Sequence, residues 1–249
     1  MSGFWTIYRR ELAGLFLSPL AWALLCLALL VNGVLFAQVY MPLLQGDIDL
    51  ALAYTFGRGM PFWLLLVVLP PLLTMRMISE EARSGVLEFL LTAPVADFAV
   101  VLGKLAAATT LMALLWSSAF VYAFASQALG TPPDWPPVVS LFLGATLVSA
   151  LFCALGLAMS AATNTPLLAA FLSVVATSAL LMLQMLDVVL PFPPGHWVRV
   201  TLGHMKIATQ FEGSFGRGLL DSKHIVQYGA WTGFFAFLAT RLLETRRWR

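Results

Sequence analysis

The chain has 249 residues, of which 60% are hydrophobic and only 10% charged, against roughly 25% charged in an ordinary soluble domain. That balance excludes a water-soluble fold, and a formal net charge of +2 without a concentrated basic stripe excludes a nucleic-acid partner. The whole chain, 1–249, reads as one integral, all-α membrane domain.

The first predicted element is an amphipathic helix over 1–17. Phe4, Trp5, Tyr8, Leu12, Leu15 and Phe16 recur at helical spacing on one arc, while Thr6, Arg10 and Ala13 project the other way. Such a helix lies in the membrane plane with its apolar face in the headgroup boundary. Ser18-Pro19 breaks it and opens the first crossing.

Six stretches are expected to cross the bilayer, at 18–40, 60–75, 105–129, 138–162, 166–186 and 225–240, since a crossing takes about 20 apolar residues. The second carries Pro70-Pro71 and is expected to kink, its freed carbonyls finding partners in neighbouring helices. Trp116 lies in mid-span, where an aromatic packs between helices rather than joining an interfacial belt. Cys26 and Cys153 sit inside apolar runs without ligand-like neighbours and read as packing residues. The first apolar run is too long, and lacks the small-residue cleavage site, for a removable leader.

Orientation follows from Lys and Arg. With the amino terminus inside, the inner segments carry Arg9, Arg10, Arg76, Arg83, Lys104, Arg241, Arg246, Arg247 and Arg249, and the outer loops Arg58, Arg199, Lys206, Arg217 and Lys223. Both termini are expected in the cytoplasm.

Between the second and third crossings the sequence predicts a cytoplasmic helix over 79–94. Ser79 can cap it, Glu80 and Glu81 fall where the positive end of the dipole favours acids, and Pro94 stops it. Glu81, Ser84 and Glu88 then share one face, with Val86, Phe89, Leu90 and Ala93 opposite.

Three classes of membrane protein have to be weighed. A secondary transporter keeps ionisable groups at membrane depth, and the six runs hold none in their interiors. An intramembrane enzyme needs a catalytic constellation. His196, His204 and His224 all fall in the last outer loop, no H-E-x-x-H pair exists, and Glu212-Gly213-Ser214-Phe215-Gly216 is not G-x-S-x-G. A subunit powered from outside needs neither, and the absence of a G-x-x-x-x-G-K-[ST] loop means any ATP must be bound by another chain.

The run Glu80-Glu81-x-Arg83-Ser84-Gly85-x-x-Glu88-x-Leu90-Leu91-Thr92-Ala93-Pro94-Val95, followed by Gly103-Lys104, resembles the permease subunits of ABC-2 type exporters, in particular the gliding-motility GldF-like group. Arg10-Glu11 before the first crossing is also similar to that group. So is a closing motif, Phe211-x-x-Ser214-Phe215-x-Arg217-Gly218, Asp221 and Leu243-Glu244-x-Arg246-Arg247-Trp248. The resemblance implies a six-helix ABC-2 exporter fold in a bacterial inner membrane. It implies a cytoplasmic ATPase subunit that binds ATP and Mg, a second permease copy or paralogue, and an accessory periplasmic protein, with no cofactor or catalysis in this chain. It makes 79–94 a coupling helix and assigns the ATPase contact to Glu80, Glu81, Arg83, Ser84, Gly85 and Glu88, with Thr163 and Asn164 in a second, smaller inner turn. The loop 187–224 would hold outer re-entrant or interfacial segments, which suits its prolines, aromatics and scattered charges. Members of the group handle cargoes as different as lipids, polysaccharides and peptides, so the resemblance names the machine and not its substrate.

Overall fold

Long apolar runs need internal hydrogen bonding of every backbone group in lipid, and the chain meets that need with helices alone among its described residues. The structure is a computed structural model and describes residues 2–85, 96–183, 203 and 206–247. In chain order the helices are α1 (Ser2–Leu17), α2 (Pro19–Leu43), α3 (Ile48–Arg83), α4 (Asp97–Ala128), α5 (Trp135–Ala162), α6 (Pro166–Met182), α7 (Ile207–Gly213) and α8 (Ser222–Arg247).

Four of these, α2 to α5, are long and apolar enough to cross a membrane, with 25, 36, 32 and 28 residues. The expectation of six crossings is therefore corrected to four among the described residues. The error came from counting uncharged runs instead of continuous apolar helices. α6 has 17 residues and rises about 25 Å, short of the ~30 Å hydrocarbon thickness. The run at 166–186 had been carried on past the end of α6, into residues outside the described part. α8 has 26 residues, but Lys223, His224, Arg241, Glu244, Arg246 and Arg247 load its two ends and leave only 225–240 uncharged.

The four long helices outrun the stretches read from hydropathy because their ends continue into polar sequence. α3 starts well before Met60 and is first interrupted at Gly59, where the backbone turns extended (φ −70°, ψ 142°). Glycine is required there by close approach: a Cβ would stand 2.3 Å from the Tyr54 carbonyl and 2.5 Å from the Tyr40 hydroxyl. Pro70 and Pro71 lie within the helical stretch Met60–Thr74. The helix gives way only after Thr74, whose hydroxyl donates to the Pro70 carbonyl at 2.7 Å.

α5 is the axis of the fold, packing against α3, α4, α6 and α8. Its small residues let those helices come close. Gly156 receives Thr74 of α3 so closely that a Cβ would sit 2.1 Å from the Thr74 hydroxyl oxygen, and a Cβ at Gly144 would sit 2.6 Å from the Phe215 ring. Trp116 of α4 is fully buried, and its indole N–H donates to the Ser149 hydroxyl of α5 at 2.7 Å, as its mid-span place implies. At the end of the bundle where α5 begins, Phe211 of α7 and Phe215 in the turn Phe215–Arg217 are both fully buried, lodged over Gly57 and Gly144.

α1 runs alongside α4. The residue it buries most deeply is Ile7, while Trp5 stays 55% exposed. Tyr8 shares a hydroxyl hydrogen bond with Thr110 of α4 at 3.1 Å.

Of the predicted helix over 79–94, only the start, 79–85, falls among the described residues. Helix stops at Arg83, where the last turn of α3 closes on Ser84. Gly85 then takes a left-handed conformation (φ 76°), which ends helices because only glycine adopts it without steric cost. The remainder of that segment, 86–94, lies outside the described residues, as do 187–202 and 204–205 of the loop read as an outer element.

Candidate functional site

At the end of the bundle opposite α7, four elements converge: α1, the last turn of α3, the first turns of α4 and the last turns of α5. Their meeting is built around one cation. Lys104 is completely buried, one residue after Gly103, whose missing side chain lets α1 lie close; a Cβ at Gly103 would come within 2.8 Å of the Ile7 side chain and 3.2 Å of the Tyr8 nitrogen. The close seam that makes room for Ile7 also takes Lys104 out of solvent.

A buried ammonium persists only when its charge is matched and its N–H groups have acceptors. Lys104 Nζ donates to Glu11 Oε1 of α1 at 3.0 Å and lies 2.9 Å from Glu81 Oε2 of α3. Arg10 completes the cluster, its Nη2 donating to Glu11 at 2.6 Å and Glu81 at 2.9 Å. Burial alone would lower the Arg10 pKa, but the hydrogen bonds and charges of Glu11 and Glu81 outweigh it and hold the guanidinium above its ordinary value. Two cations and two carboxylates thus form a neutral group tying three helices together. Removing one partner from such a buried group costs about 3–5 kcal/mol, because the remaining charge is left unmatched.

A second tie joins α3 to α5. The backbone N–H groups of Ile78 and Ser79, left without helical partners at the turn after Thr74, donate to the Ser160 hydroxyl oxygen at 3.2 and 3.0 Å. Ser160 in turn donates to the Met75 carbonyl at 3.0 Å, and the Ser79 hydroxyl bonds the same carbonyl. One buried serine therefore closes the turn in α3 and anchors it three residues before Thr163, where α5 ends.

These ties place the sequence-predicted site residues in two sets. Glu80, Arg83 and Ser84 are exposed, and Glu80 pairs loosely with Arg76 at 3.9 Å. Glu81 instead turns inward to Lys104. Thr163 is buried, its hydroxyl donating to the Met159 carbonyl at 3.0 Å, and Asn164 is exposed. Glu88 lies outside the described residues. Of the predicted site residues, Glu80 and Arg83 line a groove of about 910 Å³ together with Arg76, its other side being Thr165, Pro166 and Phe171, whereas Thr163 and Asn164 do not line it.

Lys104, Glu11 and Ser160 were assigned no role from sequence. Lys104 had a usable signal, as a lone cation at the head of a long apolar run, which must either reach the surface or find a carboxylate. Ser160 had none, because a serine among small residues on an apolar helix reads as a packing residue. Among the described residues, no group of three or more His, Cys, Asp or Glu side chains comes together to hold a metal ion.

Residues 5–197 match the family model described as ABC-2 family transporter protein. The match runs from α1 through α6 and includes the converging end of the bundle. It is to the family at large and not to the gliding-motility group, and the closing motif from Phe211 onward lies beyond it. No curated protein matches the chain.

Proposed function

The chain belongs to the ABC-2 transporter family, a membrane-embedded permease of that type, and from that premise we propose that it couples ATP hydrolysis by a separate ATPase subunit to export, or to work on a periplasmic partner. The ATPase docks at the charged end of the bundle, which then faces the cytoplasm of a bacterial inner membrane together with both termini. A second permease, copy or paralogue, completes the membrane part, and ATP and Mg stay with the ATPase.

One observation carries this reading. The last turn of α3 is not an independent appendage: Glu81 is held by Lys104 and Arg10, and the turn before it by Ser160. A partner that grips the exposed Glu80 and Arg83 therefore pulls on α1, α4 and α5 together. Rigid linkage of this kind is what force transmission from an outside motor needs.

The inward turn of Glu81 changes the choice of variants. Reversing Glu81 would break the internal cluster, so contact is tested at Glu80 and Arg83. The double reversal Glu80→Arg with Arg83→Glu leaves Lys104, Glu11 and Glu81 intact. It is expected to reduce co-purification of the ATPase by about tenfold, the ~1.4 kcal/mol of two or three rim charge contacts, with membrane insertion unchanged. Undiminished co-purification would remove the segment from the interface.

A further inference from the structure

A second groove opens on the other side of the same α3 turn, between α1, the start of α2 and α3, with a volume of about 510 Å³. Its walls are Leu15 and Leu20 from the α1–α2 corner and Leu72 and Leu73 from α3, and its rim carries Arg10, Arg76 and Glu80. Apolar walls beneath a charged rim, placed where α2 and α3 reach the end of the bundle, match the depth profile of a lipid: acyl chain below, headgroup above.

The rim selects among headgroups. Arg10 is spent on Glu11 and Glu81, and those two carboxylates are also held by Lys104. Among the described residues of this rim, what remains is Arg76 and Glu80, each more than half exposed, 3.9 Å apart and without a hydrogen bond between them, Glu80 being open to the neighbouring groove as well. A single available cation beside a single available carboxylate complements a zwitterion. The guanidinium takes the phosphate in a bidentate fork, and the carboxylate accepts hydrogen bonds from an ammonium. A primary ammonium has three N–H donors, whereas a quaternary choline has none, and the neutral glycerol of phosphatidylglycerol brings no cation to Glu80.

We propose that this groove binds one ethanolamine phospholipid from the leaflet meeting this end of the bundle. The lipid bridges α1 and α3 alongside the Lys104 cluster, whose Arg10, Glu11 and Glu81 line the same groove, so that, if the proposed ATPase docks here, the coupling end is partly built of lipid.

Gly14 supplies the test. It lies on α1 at the groove, and a Cβ there meets no atom within 4 Å. A leucine at this site starts from open space at the groove and takes up part of its volume, and glycine to leucine favours the helix. The full chain, Gly14→Leu, and Arg76→Gln with Glu80→Gln are purified and exposed to equal amounts of phosphatidylethanolamine, phosphatidylcholine and phosphatidylglycerol, and retained lipid is read by native mass spectrometry. The wild type is expected to keep one phosphatidylethanolamine with about fivefold preference over phosphatidylglycerol, matching an exposed ion pair of ~1 kcal/mol. Gly14→Leu should lose retention of all three lipids, and the double variant should lose the preference. Equal retention of the three lipids by the wild type, or unchanged retention by Gly14→Leu with native helicity, overturns the proposal.

Discussion

Lys104 shows how a single residue can be visible in a sequence while its job is not. The sequence placed it beside Gly103 in a recognisable run, and elementary electrostatics requires a buried lysine to have a carboxylate. Which carboxylate depends on the register of α1 and α3 against α4, and no periodicity within one helix specifies register between helices. Glu81 illustrates the same gap: helical spacing grouped it with Ser84 and Glu88 on an outward face, but the helix ends at Arg83 and Glu81 points inward. Gly156 is a residue of the opposite kind, silent in sequence and decisive in packing. Gly156→Ala would place a Cβ 2.1 Å from the Thr74 hydroxyl oxygen and is expected to destabilise the bundle by about 1–3 kcal/mol through overpacking. Thr74→Ala in the same chain removes the clashing atom and should recover most of that loss. A thermal-unfolding cycle of the two single variants and the double one checks it, and strictly additive losses would mean the two residues do not meet as described.

Among the elements, the four long helices were legible because an uncharged apolar run has few other fates, and even the central stretches of α4 and α5 were located closely. Their ends were not legible, since helical hydrogen bonding continues through polar sequence that hydropathy treats as loop. α1 reads as amphipathic, but the arc of Phe4, Trp5 and Tyr8 gives no hint that Ile7 is the residue driven against Gly103. The seam between α1 and α4 rests on that contact and on the Lys104 cluster. Gly103→Val forces α1 away, because the Cβ meets both the Ile7 side chain and the Tyr8 backbone. Local opening of α1 is then expected to become about tenfold more frequent, for a cost of ~1.4 kcal/mol. Tryptic cleavage after the exposed Arg9 and Arg10 should accelerate by the same factor. An unchanged cleavage rate would show that α1 is held elsewhere.

The whole molecule is a set of helices arranged about α5, with aromatic packing at one end and a charge cluster at the other. Family membership was legible from the run at 80–95, and the matched residues, 5–197, contain that run. The number of crossings was not, because 166–186 and 225–240 looked like membrane runs until helix length and charged ends were set against bilayer thickness. The proposed division of labour rests on the charged end being tied to the bundle and on a sequence with no phosphate-binding loop of its own. The most direct measurement is ATP hydrolysis by the purified chain in lipid nanodiscs, alone and after addition of a separately expressed ABC ATPase subunit from the same organism. The chain alone should hydrolyse no ATP, and with the ATPase it should form a stable complex whose hydrolysis changes when the chain is present. Hydrolysis by the chain alone, or an ATPase that neither binds the chain nor responds to it, would contradict the assignment.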